Sequence, residues 1–171
     1  MIMLSQRAAD RIWCAPFRRD RRELMPLFKL ADDSELQILS YLYRGEVLFA
    51  TESGEPLGHA LIIEPEKPGV FELKSIAVLE SRQGQGIGTK LLRAAIRYCR
   101  AHNAQYLRVS TSISDANAIG FYLRCGFRAT SILRDAFTAE SGYPPYSGQS
   151  RVPLNDAIEL ELVLSTAFGG S

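Results

Sequence analysis

The spacing of apolar residues changes period several times along this chain, and each change marks an element. Residues 11–16 alternate as a short strand. Residues 18–30 place Leu24, Leu27, Phe28 and Leu30 on one stripe at helical spacing. Asp32 and Glu35 then stand three apart, a capping-box pattern, so a second helix is predicted over 34–44. Residues 46–51, 57–64 and 70–79 read as three strands. The segments joining them, 52–56 and 65–69, each hold Gly and Pro, which predicts an antiparallel meander. Over 87–102, Ile87, Leu91, Leu92, Ala95, Ile96 and Cys99 fall on one helical face and Arg93, Arg97 and Arg100 on the other. A strand over 105–111, a short helix over 115–125 stopped by Gly126, and strands over 127–134 and 157–163 complete the pattern. Strands and helices interleave, so the class is α/β.

Bulk properties narrow the picture. A length of 171 residues predicts one domain spanning 1–171, with its core over 10–165. Hydrophobic residues at 46% exclude a mainly disordered chain. A net charge of +1 argues against nucleic acid as a partner held by bulk electrostatics. Cys14, Cys99 and Cys125 form no paired spacing and no cysteine-histidine cluster, so neither a disulfide scaffold nor a metal site is expected. The first residues are too short an apolar run for a signal peptide, and no stretch approaches a membrane span. The expected location is the cytoplasm, with no membrane partner. The segment 139–153, rich in Ser, Gly, Pro and Tyr, is long for a connection and reads as a functional loop or local disorder.

The chemistry concentrates at Gln83-Gly84-Gln85-Gly86-Ile87-Gly88-Thr89, between a strand and a helix. Glycines there let backbone amides approach a ligand without a side chain in the way. The helix that follows aims unpaired N–H groups and the positive end of its dipole at the same place, which suits a phosphate-bearing cofactor. A mononucleotide P-loop needs Gly-Lys-[Ser/Thr], but Gly88 is followed by Thr89-Lys90. A dinucleotide fingerprint needs Gly-x-Gly-x-x-Gly, and the spacing here is Gly-x-Gly-x-Gly with no acidic residue at the end of the next strand. A third reading fits better. Gln83-x-x-Gly86-x-Gly88 resembles the acetyl-CoA signature of the GNAT superfamily of N-acyltransferases. Ile76-Ala77-Val78 lies upstream at a strand end. Downstream, Asn117-x-x-x-Phe121-Tyr122-x-x-x-Gly126-Phe127 resembles the family's second motif. The wording of 74–89 and 134–137 resembles uncharacterised bacterial members.

The resemblance implies a mixed, mostly antiparallel sheet of about seven strands with about four helices, splayed at a central parallel pair. It implies acetyl-CoA as cosubstrate, with the amides of Gln85, Gly86, Ile87, Gly88 and Thr89 on the pyrophosphate, after Gln83 and Gly84. A bare glycine turn is the plain alternative. The pantetheine arm would lie along Ile76, Ala77 and Val78, whose side chains can also be ordinary core. Asn117 resembles the family asparagine that bonds the pantetheine, and is equally a helix-start residue bonding local backbone. Tyr122 resembles the family's general acid and cofactor contact. A buried tyrosine is otherwise core. Glu72 lies four residues before Ile76 and shares a strand face with Lys74, Ile76 and Val78. Several family members carry a glutamate at this offset, which makes Glu72 the candidate base; a solvated or Lys-paired carboxylate is the alternative.

The implied activity is transfer of acetyl to a primary amine by direct attack in a ternary complex. The acceptor is a small polyamine, an aminoglycoside-like amine, or a peptide or protein amine. The different-class alternative is a CoA-binding sensor without turnover. Family members take the acceptor on the first two helices and the last long loop. Asp32, Asp33 and Glu35 would attract a cation there or simply cap a helix. Tyr143 and Tyr146, beside Pro144-Pro145, form an aromatic wall or ordinary loop. Dimers are common in the family, although this chain carries no dimer signal. Trp13 is expected in the core, His59 to pack or bond locally, and His102 at a helix C-terminus.

Overall fold

The computed structural model describes residues 11–64, 66–147 and 151–164. Its elements are β1 (Trp13–Pro16), a 3-10 turn (Arg21–Leu24), α1 (Met25–Ala31), α2 (Glu35–Tyr41), β2 (Glu46–Thr51), β3 (Pro56–Ile63), β4 (Val70–Val78), a second 3-10 turn (Glu80–Arg82), α3 (Ile87–Ala101), β5 (Tyr106–Ser112), α4 (Ala116–Arg124), β6 (Arg128–Leu133) and β7 (Ala157–Val163). The seven strands form one mixed sheet in the order β1-β2-β3-β4-β5-β7-β6. Among the described residues β4 and β5 pair in parallel, and their ladder runs from Val70–Tyr106 to Glu72–Arg108. It stops after those three pairs.

The chain forms two compact units, Met1–Ile63 with Lys74–Ala95, and Glu64–Leu73 with Ile96–Ser171. In the first, Phe17, Leu24, Leu27, Phe28, Ile38, Tyr41, Leu42, Val47, Leu61 and Ile63 make one apolar cluster under α1 and α2. β3 and β4 are antiparallel neighbours, since the Leu79 amide donates to the Leu57 carbonyl at 2.9 Å, at the end remote from their connecting turn. In the second unit β5, β7 and β6 pair antiparallel. Leu107, Val109 and Leu160 point into that unit's interior.

Several expectations are corrected. The helix expected over 18–30 is split, with the 3-10 turn capped by Asp20 and α1 beginning at Met25. Pro26 in the first turn explains the break, since proline suits a helix start and lacks the N–H an interior needs. The second helix is capped by Ser34, whose hydroxyl accepts from the Gln37 amide at 3.2 Å, not by Asp32. Asp32 instead folds onto the Ser34 amide at 3.0 Å and accepts from the Tyr41 hydroxyl at 2.8 Å. That helix stops at Tyr41 rather than 44. The Arg21 guanidinium donates to the carbonyls of Leu42, Arg44 and Gly45 at 3.0, 2.8 and 2.7 Å. Trp13 is 52% exposed rather than core. It lies on an edge strand, and its apolar neighbours Ile12 and Phe17 are buried in its stead.

The three cysteines are free thiols. Among the described residues no group of side chains could hold a metal ion, and no helix is long and apolar enough to cross a membrane. The terminal residues 1–10 and 165–171, on which the signal-peptide and core-boundary readings fall, lie outside the described residues, as do 148–150 of the long loop.

Candidate functional site

The glycine turn belongs to the first unit. Gly84 and Gly86 adopt φ of +75° and +77°, a region that strains any residue with a Cβ. A Cβ added at either would meet no atom within 4 Å, so both face open space. Gly88 needs no special φ; it is the second residue of α3. The first helical bond is Lys90 N–H to the Gly86 carbonyl at 3.1 Å, which leaves the amides of Ile87, Gly88 and Thr89 without helical acceptors. No described side chain caps them. Converging uncapped amides at a helix N-terminus, on open space, are a donor array for a diphosphate.

Two side chains brace this turn. Gln83 donates its amide to the Val78 carbonyl at 3.1 Å, tying the turn to the end of β4. Arg82 donates to the Gln85 side-chain oxygen Oε1 at 3.1 Å and to the Glu52 carboxylate at 3.2 Å. Arg82 and Glu52 were not singled out by sequence reasoning. They are 30 residues apart, and no local pattern joins them.

On β4, Phe71, Leu73 and Ser75 are buried, whereas Glu72, Lys74, Ile76 and Val78 line the less buried face. The expected shared face is present. The Leu79 N–H points to β3, so by strand alternation the backbone groups of Ala77 and Ser75 point the same way and those of Ile76 and Val78 point away from β3. The Lys74 ammonium sits over the Tyr41 ring, 5.2 Å from its centroid.

The second unit carries Glu72, Asn117 and Tyr122. Asn117 is exposed in the first turn of α4. Asp115 is the cap of that helix, its carboxylate accepting from the Ala118 amide at 2.9 Å, which removes the local capping role from Asn117. Tyr122 is 5% exposed, and no described residue bonds its hydroxyl. Burial, then the negative charges of Asp115 and Cys125 when ionised, raise its pKa well above 10, so the phenol stays protonated. The helix ends in a Schellman motif. Phe127 N–H donates to the Tyr122 carbonyl and Gly126 N–H to the Leu123 carbonyl, both at 3.1 Å, with Gly126 at φ +93°. The Phe127 ring packs 5.4 Å from the Tyr122 ring and fixes it. The spacing Tyr122-x-x-x-Gly126-Phe127 is therefore a helix stop that orients the tyrosine. Glu72 stands in register with Arg108, whose guanidinium donates to Glu161 at 2.8 Å.

The acidic residues near α2 are engaged locally. Asp32 holds Ser34 and Tyr41, and Glu35 pairs with Lys29 at 2.7 Å. Tyr143 packs edge-on to Phe137 at 4.9 Å, and Tyr146 bridges to Pro153 with 46% exposure. His102 bonds the Tyr98 carbonyl at 2.8 Å at the end of α3, as expected. His59 does bond locally, to Ser75 Oγ at 2.8 Å. Ser75 was not anticipated, although a serine in phase with Phe71 and Leu73 on the buried face was a visible signal.

Comparison with known proteins identifies the family. The model of the Acetyltransferase (GNAT) family matches residues 8–127. The chain is 33% identical over 115 residues to the uncharacterized N-acetyltransferase YvbK of Bacillus subtilis, covering 67% of this chain and 74% of that protein. It is similar to the crystal structure of a GNAT family acetyltransferase from Elizabethkingia anophelis with acetyl-CoA bound, at 30% identity, a TM-score of 0.81, and coverage of 91% of this chain and 99% of that one. It is also similar to an IAA acetyltransferase from Bacillus cereus, at 32% identity, a TM-score of 0.79, and coverage of 90% and 99%.

Proposed function

This chain belongs to the GNAT family and is an acetyl-CoA-dependent acetyltransferase, and from that premise we propose that it moves acetyl to a primary amine by direct attack in a ternary complex, as one catalytic domain. The observation that carries the cofactor half is the pair of left-handed glycines facing open space ahead of an uncapped helix start. The amides of Gln85 to Thr89 bind the diphosphate. Gln83 and Gly84 shape the turn. Ile76, Ala77 and Val78 run beside the pantetheine, with the outward backbone groups of Ile76 and Val78 as its partners. Asn117, exposed and freed of capping, bonds the arm.

The nitrogen lone pair of the neutral amine forms a bond to the thioester carbon. The C–S bond breaks, and the thiolate leaves. A main-chain amide of Ile76 or Val78, outward on β4, stabilises the carbonyl oxygen as it gains charge. Tyr122 donates a hydrogen bond to the leaving sulfur. Its pKa, raised by burial, lies above that of a thiol, so complete transfer of the proton runs uphill. The phenol therefore acts first as a hydrogen-bond donor, and as a proton source only when the resulting phenolate is promptly reprotonated. A carboxylate is a far weaker base than an alkylamine. Glu72 accordingly takes the proton as the C–N bond forms and the nitrogen turns acidic, directly or through water. The acceptor is an amine. With Asp32 and Glu35 already engaged, its binding does not rest on those carboxylates.

Release of CoA thiol from acetyl-CoA, followed across a panel of polyamines, aminoglycosides, amino acids and peptides, tests the reading. Amine-dependent release with a preference among the classes is expected. Tight acetyl-CoA binding with no release by any amine would overturn it in favour of a sensor.

A further inference from the structure

Among the described residues, β4 has one ladder from Lys74 to Val78. Its pairing with β5 ends at Glu72, and the strand is held from the β3 side. The approach on that side is close. A Cβ on Gly58 would lie 2.6 Å from the Ala77 carbonyl oxygen. In the same stretch the side chains of His59 and Ser75 meet at 2.8 Å, with exposures of 0% and 5%. The other ring nitrogen, His59 Nδ1, is buried without a hydrogen-bond partner among the described residues. The Phe28 ring covers the imidazole, 4.2 Å centroid to centroid.

A neutral imidazole carries one donor and one acceptor. A stranded N–H costs more than a stranded lone pair, so the proton belongs on Nε2 and Ser75 Oγ accepts it. Burial keeps the ring neutral, lowering its pKa to about 3. For stability alone this is a poor choice of residue. An apolar side chain of similar size would pack against Phe28 without burying an unsatisfied nitrogen. What the imidazole provides is one directional bond between β3 and the half of β4 that has no ladder to β5.

We propose that His59 and Ser75 are positioning residues. Their bond fixes the register and height of 74–78 on β3, and so aims the outward backbone groups of Ile76 and Val78 at the pantetheine arm and the thioester. This rests on the acetyl-CoA reading of the site.

The test uses CoA and its head fragment, 3′-phospho-ADP, which lacks the pantetheine arm. The fragment reports the glycine turn alone, and the ratio of the two affinities reports β4. His59→Phe and Ser75→Ala remove the bond. His59→Gln keeps an N–H donor directed at Ser75. Calorimetry on His59→Phe and Ser75→Ala should give fragment affinity within about twofold of the unaltered protein and CoA affinity at least tenfold weaker. In steady-state assays kcat should fall at least tenfold, and His59→Gln should recover a substantial part of both losses. Ser75→Cys, nearly isosteric with a weak acceptor, gives the same comparison should Ser75→Ala not fold. It should weaken CoA more than the fragment. An unchanged ratio of CoA to fragment affinity in the folded variants would overturn the proposal. Failure of the unaltered protein to bind either ligand would instead overturn the cofactor reading beneath it.

Discussion

Replacing Gly86 separates the backbone role of the glycine turn from its role in binding. At φ +77° an L-residue costs about 1–2 kcal/mol of folding stability. No atom lies within 4 Å of the added Cβ, so no steric cost is added. Gly86→Ala should therefore lower Tm by about 2–8 °C in a protein of this size and leave the fold intact. Gly54 provides a matched control, with φ +91° and equally open surroundings, but in the β2–β3 turn. Gly54→Ala should cost the same stability. For Gly86→Glu, a carboxylate placed about 4 Å from the two charges of a diphosphate is repelled by about 2 kcal/mol in water-like surroundings and about 8 kcal/mol near a protein surface.

The exposed glutamate can swing toward solvent, so the low end is the working figure. It corresponds to about a thirtyfold loss of CoA affinity. Calorimetry with CoA at about 0.15 M salt measures it, and raising the salt to about 1 M should recover part of the loss for Gly86→Glu but not for Gly86→Ala. The expected order of CoA affinity is unaltered protein and Gly54→Ala together, then Gly86→Ala, then Gly86→Glu. A folded Gly86→Glu protein that binds CoA within threefold of the unaltered protein would refute the placement of the diphosphate.

Two other outcomes follow from buried groups. Tyr122→Phe removes a hydroxyl that no described residue bonds, so Tm should move by no more than a few degrees, while kcat falls at least tenfold at a nearly unchanged KM for acetyl-CoA; unaltered turnover removes Tyr122 from the chemistry. His59 has a folded pKa lowered to about 3 by burial, against about 6.5 when unfolded. Its contribution to stability is therefore complete above about pH 6.5 and is lost as pH falls from there toward 3, by about 2 kcal/mol between pH 7 and pH 5. Urea unfolding across that range checks it, and His59→Phe should flatten the slope by this amount; identical slopes would contradict a buried neutral imidazole.

Much of the fold was legible because local chemistry and tertiary position agreed. β2 and β7 fall on the residues their alternation predicted, and α3 buries Leu91, Leu92, Ala95 and Cys99 while exposing its arginines. The misjudged places depend on long-range partners. The end of α2 is set by Arg21, more than twenty residues earlier, which no helical pattern contains. Trp13 looked like core because large apolar residues usually are, yet it falls on the outermost strand. Asp32 and Glu35 stood at the right separation for a capping box, but Ser34 lay between them with the shorter route to the free amides.

The candidate site divides along the same line, and the division is physical. A diphosphate and an extended thioester arm are recognised largely by main-chain amides. Main-chain recognition needs particular φ values and helix starts, which sequence writes as glycines at fixed spacing and as a Schellman stop after Tyr122. An amine acceptor is recognised by side chains, and many residue combinations serve equally. No short spacing encodes them. The His59–Ser75 pair lies between these cases. Its residues are 16 apart on neighbouring strands, too far for any motif, yet each was a polar residue in phase with a buried apolar face. That mismatch is readable without a structure, and here it falls on β4, the strand proposed to carry the pantetheine arm. A polar residue that breaks the apolar phase of a cofactor-bearing strand is therefore evidence about the geometry of the site, even when its side chain points away from the ligand.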